Sequence, residues 1–286
     1  MKHNKVTGYT LSRGLISFIA RILLYIWCLF TIVALVWIFI SSLKTNREIF
    51  SNAWGLFESP QWNNYRDAWV GNSLGRSFIN SVIVVGISVL LTVVLSTPTA
   101  YVLSRLKFRG RNVVAYYVIF GMGIPIQLML IPLYAIINDL GLINTLSGLI
   151  ITYTASSIPL AVFLQISYFN TIPESIAEAA RIDGANHFGV FFKVMLPIGR
   201  AGVITAAILT FLFLWNEFMF ALTFVTSNEK FTLPVGINAL NTSMTYTGQW
   251  TTLMAGLVIT ILPTLVVYQL LSRQIIEGLT MGAVKE

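Results

Sequence analysis

The chain has 286 residues, of which 56% are hydrophobic and only 10% are charged, and its net charge is +7. Soluble domains usually carry about 25% charged residues, so the composition excludes an ordinary water-soluble globular protein and indicates an integral membrane protein. The basic residues flank apolar runs and form no long basic face, which argues against nucleic acid as a partner. Cys28 is the only cysteine, which excludes a disulfide framework and a cysteine metal site.

Six apolar stretches bounded by charged residues are long enough to cross a bilayer, for which a helix needs about 20 apolar residues. The first stretch exceeds the core of a signal peptide and lacks a convincing cleavage site, so we interpret it as a retained span. The sequence therefore predicts an all-α integral membrane protein with a single transmembrane domain over residues 1–286. The predicted spans are residues 22–42, 79–103, 113–137, 146–168, 201–225 and 252–271.

The distribution of Lys and Arg between the spans predicts the orientation, because basic residues favour the cytoplasmic side. With the N-terminus placed inside, the inside segments carry thirteen basic residues and the outside segments carry five. We therefore predict that both termini are cytoplasmic and that residues 43–78 and 226–251 form external loops. Residues 170–200, between spans four and five, then face the cytoplasm.

Residues 170–200 have the features of two short helices joined by a turn. Thr171 stands three residues before Glu174, which is the spacing of a capping box at a helix start. Gly184 is expected to break this helix and to adopt a positive φ. A second apolar stripe follows, and we expect Leu196-Pro197 to end it before the fifth span. An amphipathic helix lying on the membrane surface is the alternative interpretation of these features.

Four short motifs carry a family resemblance. Glu178-Ala179-Ala180, followed by Gly184 and Leu196-Pro197, closely resembles the "EAA loop" of ATP-driven (ABC) importer permeases. From about residue 60 onward the chain resembles the smaller, six-span permease of maltose-type sugar importers, with Val194 as a minor departure. The motifs behind this wider resemblance are Asn63-Asn64-Tyr65 with Phe78-Ile79-Asn80-Ser81, Trp215-Asn216-Glu217-Phe218, and Glu277-Gly278-Leu279-Thr280 with Gly282-Ala283-Val284-Lys285.

The resemblance implies a permease in a bacterial or archaeal cytoplasmic membrane that forms half of the pathway for a sugar or oligosaccharide. It implies no cofactor and no enzymatic activity, and the chain lacks the Gly-x-x-x-x-Gly-Lys-Ser/Thr loop that holds ATP phosphates. The implied partners are a second homologous permease subunit, two copies of a cytoplasmic ATPase, an extracytoplasmic solute-binding protein and membrane lipids. The coupling helix between spans four and five would contact the ATPase through Glu178, Ala179, Ala180, Arg181, Asp183, Gly184, Phe188 and Pro197.

Two further sets of residues are candidate contacts. Glu217 falls well inside the predicted fifth span, where an ionised acid costs roughly 2.5–3.5 kcal/mol, so it should face the pathway or a polar partner. Amides, hydroxyls and aromatic faces bind sugars, and the pathway candidates are Asn80, Gln127, Trp215, Asn216, Glu217, Tyr268 and Gln269. In the external loop, the candidate contacts with the binding protein are Asn241, Thr242, Ser243, Tyr246 and Trp250.

Three other functions compete with a sugar importer. A secondary transporter is disfavoured because there is no evident internal repeat and few intramembrane charges. A membrane enzyme is disfavoured because the sequence shows no metal cluster and no acid pair. An importer for glycerol phosphate or another polyol stays open, although a phosphate would favour Arg or Lys facing the pathway and the predicted spans contain neither.

Overall fold

The computed structural model describes the backbone of residues 5–283 and the side-chain surroundings of residues 17–274. All regular elements in that part of the chain are helical, and the Val284-Lys285 end of the C-terminal motif lies outside it. The α-helices are α1 (Lys5–Ser42), α2 (Asn46–Ser51), α3 (Asn63–Arg66), α4 (Leu74–Arg105), α5 (Arg111–Phe120), α6 (Ile126–Asp139), α7 (Leu146–Thr171), α8 (Glu174–Ile182), α9 (His187–Gly189), α10 (Leu196–Trp215), α11 (Met219–Phe224), α12 (Leu233–Thr247) and α13 (Trp250–Ala283).

In the part of the chain that the structure describes, five helical runs are each long and apolar enough to cross a membrane, and they lie in α1, in α4, in α7, in the continuous run His187–Trp215 and in α13. A sixth span would be built from α5 and α6 together, which are bent by 104° at a short break. The third predicted span, residues 113–137, is therefore not one continuous helix. Pro125 explains the break, because it lacks a backbone N–H and holds Ile124 in an extended conformation.

The fifth predicted span, residues 201–225, is also interrupted. Helix α10 ends at Trp215, the chain turns, and α11 then continues over Met219–Phe224. At the other end of this span the prediction of a stop at Leu196-Pro197 is wrong, since a π-helix over Val190–Met195 leads directly into α10. Pro197 lies at the junction where the π-helix passes into α10.

Helices α4 and α7 run parallel and form the centre of the bundle. Ser88 donates a hydrogen bond to the Ile150 carbonyl (3.3 Å), and Gln165 Nε2 donates to Ser96 Oγ (2.7 Å). Small residues on α4 permit this close approach, as is usual between membrane helices. Helix α10 packs antiparallel to α7, where Gly202 lies so close that an added Cβ would be 2.4 Å from the Tyr168 ring.

Two apolar clusters hold the ends of the bundle together. The large cluster joins α4, α7, α11, α12 and α13 at the end formed by residues 43–78 and 226–251. The small cluster joins α4, α7 and α8 to the Val190–Met195 π-helix at the end formed by residues 170–200. From Ser17 onward, where its side chains are described, helix α1 lies outside both clusters and packs on α13, and most of these side chains are exposed on the surface of the chain.

Candidate functional site

Helix α8 turns one face toward the bundle and the other outward. Ala177 is buried in the small cluster, while Glu178, Ala179 and Arg181 are exposed. The capping box predicted from Thr171 is absent, because the Thr171 hydroxyl donates to the Tyr168 carbonyl within α7. The residue before α8 is instead Pro173, which makes no side-chain cap.

The turn after α8 depends on glycine for its backbone conformation. Gly184 has φ +85°, as the sequence predicted, and a side chain there would meet no atom within 4 Å. The constraint is therefore the left-handed backbone rather than a lack of space. The amides of Gly184 and Ala185 return to the Arg181 and Ala180 carbonyls, both at 3.0 Å. Asn186 then caps α9 by accepting from the Gly189 amide at 2.8 Å.

Four large apolar side chains of the segment 170–200 are exposed beside its charges, and the less exposed two are Phe192 (59%) and Ile198 (43%). Phe188 is 75% exposed and Ile182 is 85% exposed. Ile182 follows Glu178 by one helical turn, so both point away from the bundle on the same side of α8. Sequence analysis named Phe188 and missed Ile182, although the helical spacing from Glu178 was available as a signal. Asp183 and Pro197 are exposed as well, and Ala180 is half-buried.

The inward face of residues 170–200 packs tightly against α4 and α7. Val190, Phe191 and Met195 are buried. The Tyr101 ring of α4 lies 4.9 Å from the Phe191 ring and 6.1 Å from the Phe169 ring, measured between centroids. The outward face is therefore presented on a rigid base rather than on a free loop.

Arg105, the last residue of α4, adds hydrogen bonds between α4 and the end of α7. Its Nη2 donates to the carbonyls of Phe169 and Ile172, at the end of α7 just before α8 begins. The sequence analysis counted Arg105 only among the basic residues of the inside segments. Pairing with a distant helix end leaves no local pattern in the sequence, so this contact was not predictable.

Glu217 does not lie inside a helix, which corrects the prediction. It is 6% exposed and follows the end of α10. Its carboxylate accepts from Tyr153 Oη (2.5 Å) and from the amides of Phe220 (2.8 Å) and Ala221 (3.2 Å). These amides begin α11, so Glu217 caps that helix and ties it to α7. Of the two roles that the sequence left open, the geometry favours the polar partner.

The other predicted pathway residues do not converge on one site. Asn80 is buried and donates to the carbonyls of Glu229 (2.9 Å) and Phe231 (3.0 Å). Trp215 is buried in the large cluster and its Nε1 lies 3.4 Å from the Thr260 carbonyl. The remaining candidates are exposed on the surface of the chain: Gln127, Asn216, Tyr268 and Gln269.

A cavity of about 250 Å³ lies instead at the break between α5 and α6. Irregular backbone at membrane depth is tolerated where it is buried in protein or lines a water-filled cavity. The Ser157 hydroxyl is buried at this cavity and has no hydrogen-bond partner. None of the lining residues found in the described part of the chain is charged. They are Gly121, Met122, Ile124, Ile126, Met129, Ser156, Ser157, Leu160, Thr210 and Phe213.

The predicted external loop 226–251 is largely helical. Within it, α12 exposes Tyr246 (86%) together with the polar run Asn241-Thr242-Ser243. Trp250 is half-buried against the large cluster, which separates it from these exposed side chains. The Leu233 amide at the start of α12 donates to Ser81 Oγ of α4 at 2.7 Å, so α12 is anchored to the bundle.

These features define a multi-span helical membrane protein with an ordered polar segment between two of its spans. The chain belongs to the family described as binding-protein-dependent transport system inner membrane component, whose sequence model matches residues 92–277. The matched region runs from α4 into α13 and includes residues 170–200 and the cavity. The expected ABC importer permease family and the expected all-α fold are thereby confirmed.

Two relatives and one solved structure illustrate the similarity. The chain is 37% identical over 264 residues to the diacetylchitobiose uptake system permease protein NgcG of Streptomyces coelicolor, covering 92% of this chain and 87% of that protein. It is 34% identical over 252 residues to the melibiose/raffinose/stachyose import permease protein MelC of Bacillus subtilis, covering 86% and 88%. A bacterial ABC transporter involved in the import of the acidic polysaccharide alginate shares the fold, with TM-score 0.80, 24% identity and coverage of 92% and 97%.

Proposed function

We propose that this permease forms half of the pathway by which a binding-protein-dependent ABC importer takes up an uncharged sugar or oligosaccharide. The observation that carries the substrate class is the similarity, over most of the chain, to permeases named for oligosaccharides. The cavity agrees with this class, because its lining residues are apolar or carry hydroxyls and none is charged. An importer of glycerol phosphate is less favoured, since a phosphate group would need a basic partner.

The experiment that tests this proposal is reconstitution of the complete importer. The chain is co-expressed with a second permease subunit, the ATPase and the binding protein encoded beside it, and the complex is placed in proteoliposomes. The sugar that co-purifies with the binding protein is then offered with ATP inside the vesicles. We expect ATP-dependent sugar uptake. Uptake of a glycerol phosphate in preference to any sugar would contradict the proposed substrate class.

The proposed partners follow from the two ends of the bundle. A separate cytoplasmic ATPase, present in two copies, contacts the outward face of residues 170–200, where Glu178, Ile182 and Phe188 are exposed on a rigid base. Exposed apolar side chains on an ordered segment are typical of a protein contact. The binding protein docks at the opposite end, where α12 presents Asn241, Thr242, Ser243 and Tyr246.

The orientation in this proposal has both termini in the cytoplasm and leads to a labelling prediction. In a Cys28→Ser background, Asn241→Cys should react with a membrane-impermeant thiol reagent added to intact cells. His187→Cys, also exposed on the chain, should react only after the membrane is permeabilised. The expected contrast comes from the excess of basic residues on the 170–200 side. If His187→Cys reacted in intact cells and Asn241→Cys did not, the topology would be the reverse of the one proposed.

The proposed pathway passes the break between α5 and α6 and leads to a second labelling prediction. In the same background, Ser157→Cys should react with a small hydrophilic thiol reagent in the assembled complex, because the cavity admits water. Ser88→Cys is the matched control, since Ser88 is buried and bonded to a helix carbonyl. Transported sugar should slow the reaction at Ser157→Cys. Equal, slow labelling of both variants would show that the cavity is closed to the pathway.

A further inference from the structure

Four side chains attach the two ends of α4 to segments that follow later in the chain. At the 170–200 end, Tyr101 packs on Phe191 and Arg105 binds the carbonyls before α8. At the opposite end, Asn80 and Ser81 hold the segment that leads into α12. The helix has 32 residues and contains Pro98, and its rise of about 1.5 Å per residue places Asn80 and Arg105 roughly 37 Å apart along its axis.

Arg105 is the polar member of the attachment next to α8. The last carbonyls of a helix have no partner within that helix and carry partial negative charge. The Arg105 guanidinium supplies positive charge and donates to two of the carbonyls at the end of α7, those of Phe169 and Ile172. Glu174, the first residue of α8, interacts electrostatically with the same guanidinium. Arg105 is therefore hydrogen-bonded to the chain just before Pro173, and Glu174 lies close enough to attract its charge.

We propose that Arg105 is a positioning residue that makes residues 170–200 and α4 move as one unit when the ATPase acts on α8. This inference rests on the proposed function. The buried aromatic rings alone can slide past one another, whereas directed hydrogen bonds from a charged donor fix the position of α4 relative to the end of α7, from which the chain enters α8. A displacement of α8 is thereby carried along α4 to the segment that Asn80 and Ser81 hold.

The test compares Arg105→Gln with Arg105→Lys and with Arg109→Gln in the reconstituted importer. Arg109 is exposed and basic in the segment that follows α4, so its variant controls for the loss of one charge. In Arg105→Gln we expect the ATPase to co-purify and to keep its basal activity, while stimulation by sugar-loaded binding protein falls about tenfold. Arg105→Lys should recover part of the stimulation, because an ammonium still donates to both carbonyls. Arg109→Gln should behave as wild type.

Two outcomes would overturn the inference. Wild-type stimulation in Arg105→Gln would show that α4 and α8 are coupled without this residue. Failure of both Arg105 variants to assemble would show that Arg105 serves only the folding of the bundle. If the wild-type complex itself shows no stimulation by any sugar-loaded binding protein, the proposed function fails instead, and that result is visible before any variant is made.

Discussion

Replacement of Glu217 by leucine is expected to abolish transport, whereas replacement by glutamine should leave most of it. Leucine leaves the Tyr153 hydroxyl and the amides of Phe220 and Ala221 without their acceptor. Each buried polar group without a partner costs about 1–3 kcal/mol, which is enough to detach α11 from α7. Glutamine keeps one acceptor oxygen, and its amide can donate to Tyr153 Oη. Transport rates and the yield of assembled complex measure both effects.

Asn216, the residue before Glu217, supplies the control for the leucine and glutamine variants of Glu217. Asn216 is exposed and its amide donates only to the Leu212 carbonyl of its own helix, at 2.8 Å. Asn216→Leu should therefore assemble and transport normally. A glutamine variant of Glu217 that assembles fully but does not transport would contradict the capping role. It would show that the ionised carboxylate acts in the pathway.

Gly184→Val and Glu178→Lys are expected to leave the permease in the membrane but to separate it from its ATPase. Valine forced to the φ of +85° found at Gly184 costs about 1–2 kcal/mol and rotates α8 relative to α9. Glu178 is exposed on α8, and two opposite charges 4 Å apart attract by about 4 kcal/mol at an effective dielectric near 20, before desolvation. Reversing that charge should weaken ATPase binding by tenfold or more, since about 1.4 kcal/mol is a factor of ten.

Each of these variants has a matched control on the same chain. Gly110 has φ +88° and an equally open position between α4 and α5, so Gly110→Val imposes the same backbone strain outside residues 170–200. Asp139→Lys reverses an exposed acid at the end of α6. Co-purification of the ATPase and sugar-stimulated hydrolysis are the measurements. If the variants and controls retain both properties equally, residues 170–200 are only an interfacial helix.

The features that were predictable from the sequence are those that a short stretch of neighbouring residues indicates. Charge-free apolar runs predicted the helical spans, and Gly184 predicted a left-handed turn because few other residues adopt that conformation. The breaks in the third and fifth spans were missed as breaks because apolar content continues across them. Pro125 accounts for the break in the third span, whereas the end of α10 depends on the Glu217 carboxylate reaching forward to α11.

The candidate pathway was not predictable for a related reason. Side-chain chemistry singled out Asn80 and Trp215 as polar or aromatic residues within spans, yet Asn80 binds the carbonyls of Glu229 and Phe231 and Trp215 packs on Phe78 of α4. The cavity is lined by common apolar residues and hydroxyls from α6, α7 and α10 that are far apart in the sequence. Only the relative placement of these helices brings them together. The same holds for Arg105, whose partners lie on a different helix.

Site-specific photo-crosslinking in the assembled importer tests most directly the claim that the two ends of this permease serve different partners. The crosslinking residue replaces Phe188, Tyr246 or Tyr117, which are 75%, 86% and 81% exposed on the chain. We predict a crosslink from position 188 to the ATPase, a crosslink from position 246 to the binding protein, and neither from position 117, which lies on α5. A crosslink from position 188 to the binding protein, or none to the ATPase in a complex that hydrolyses ATP, would contradict the assignment of residues 170–200 as the coupling segment.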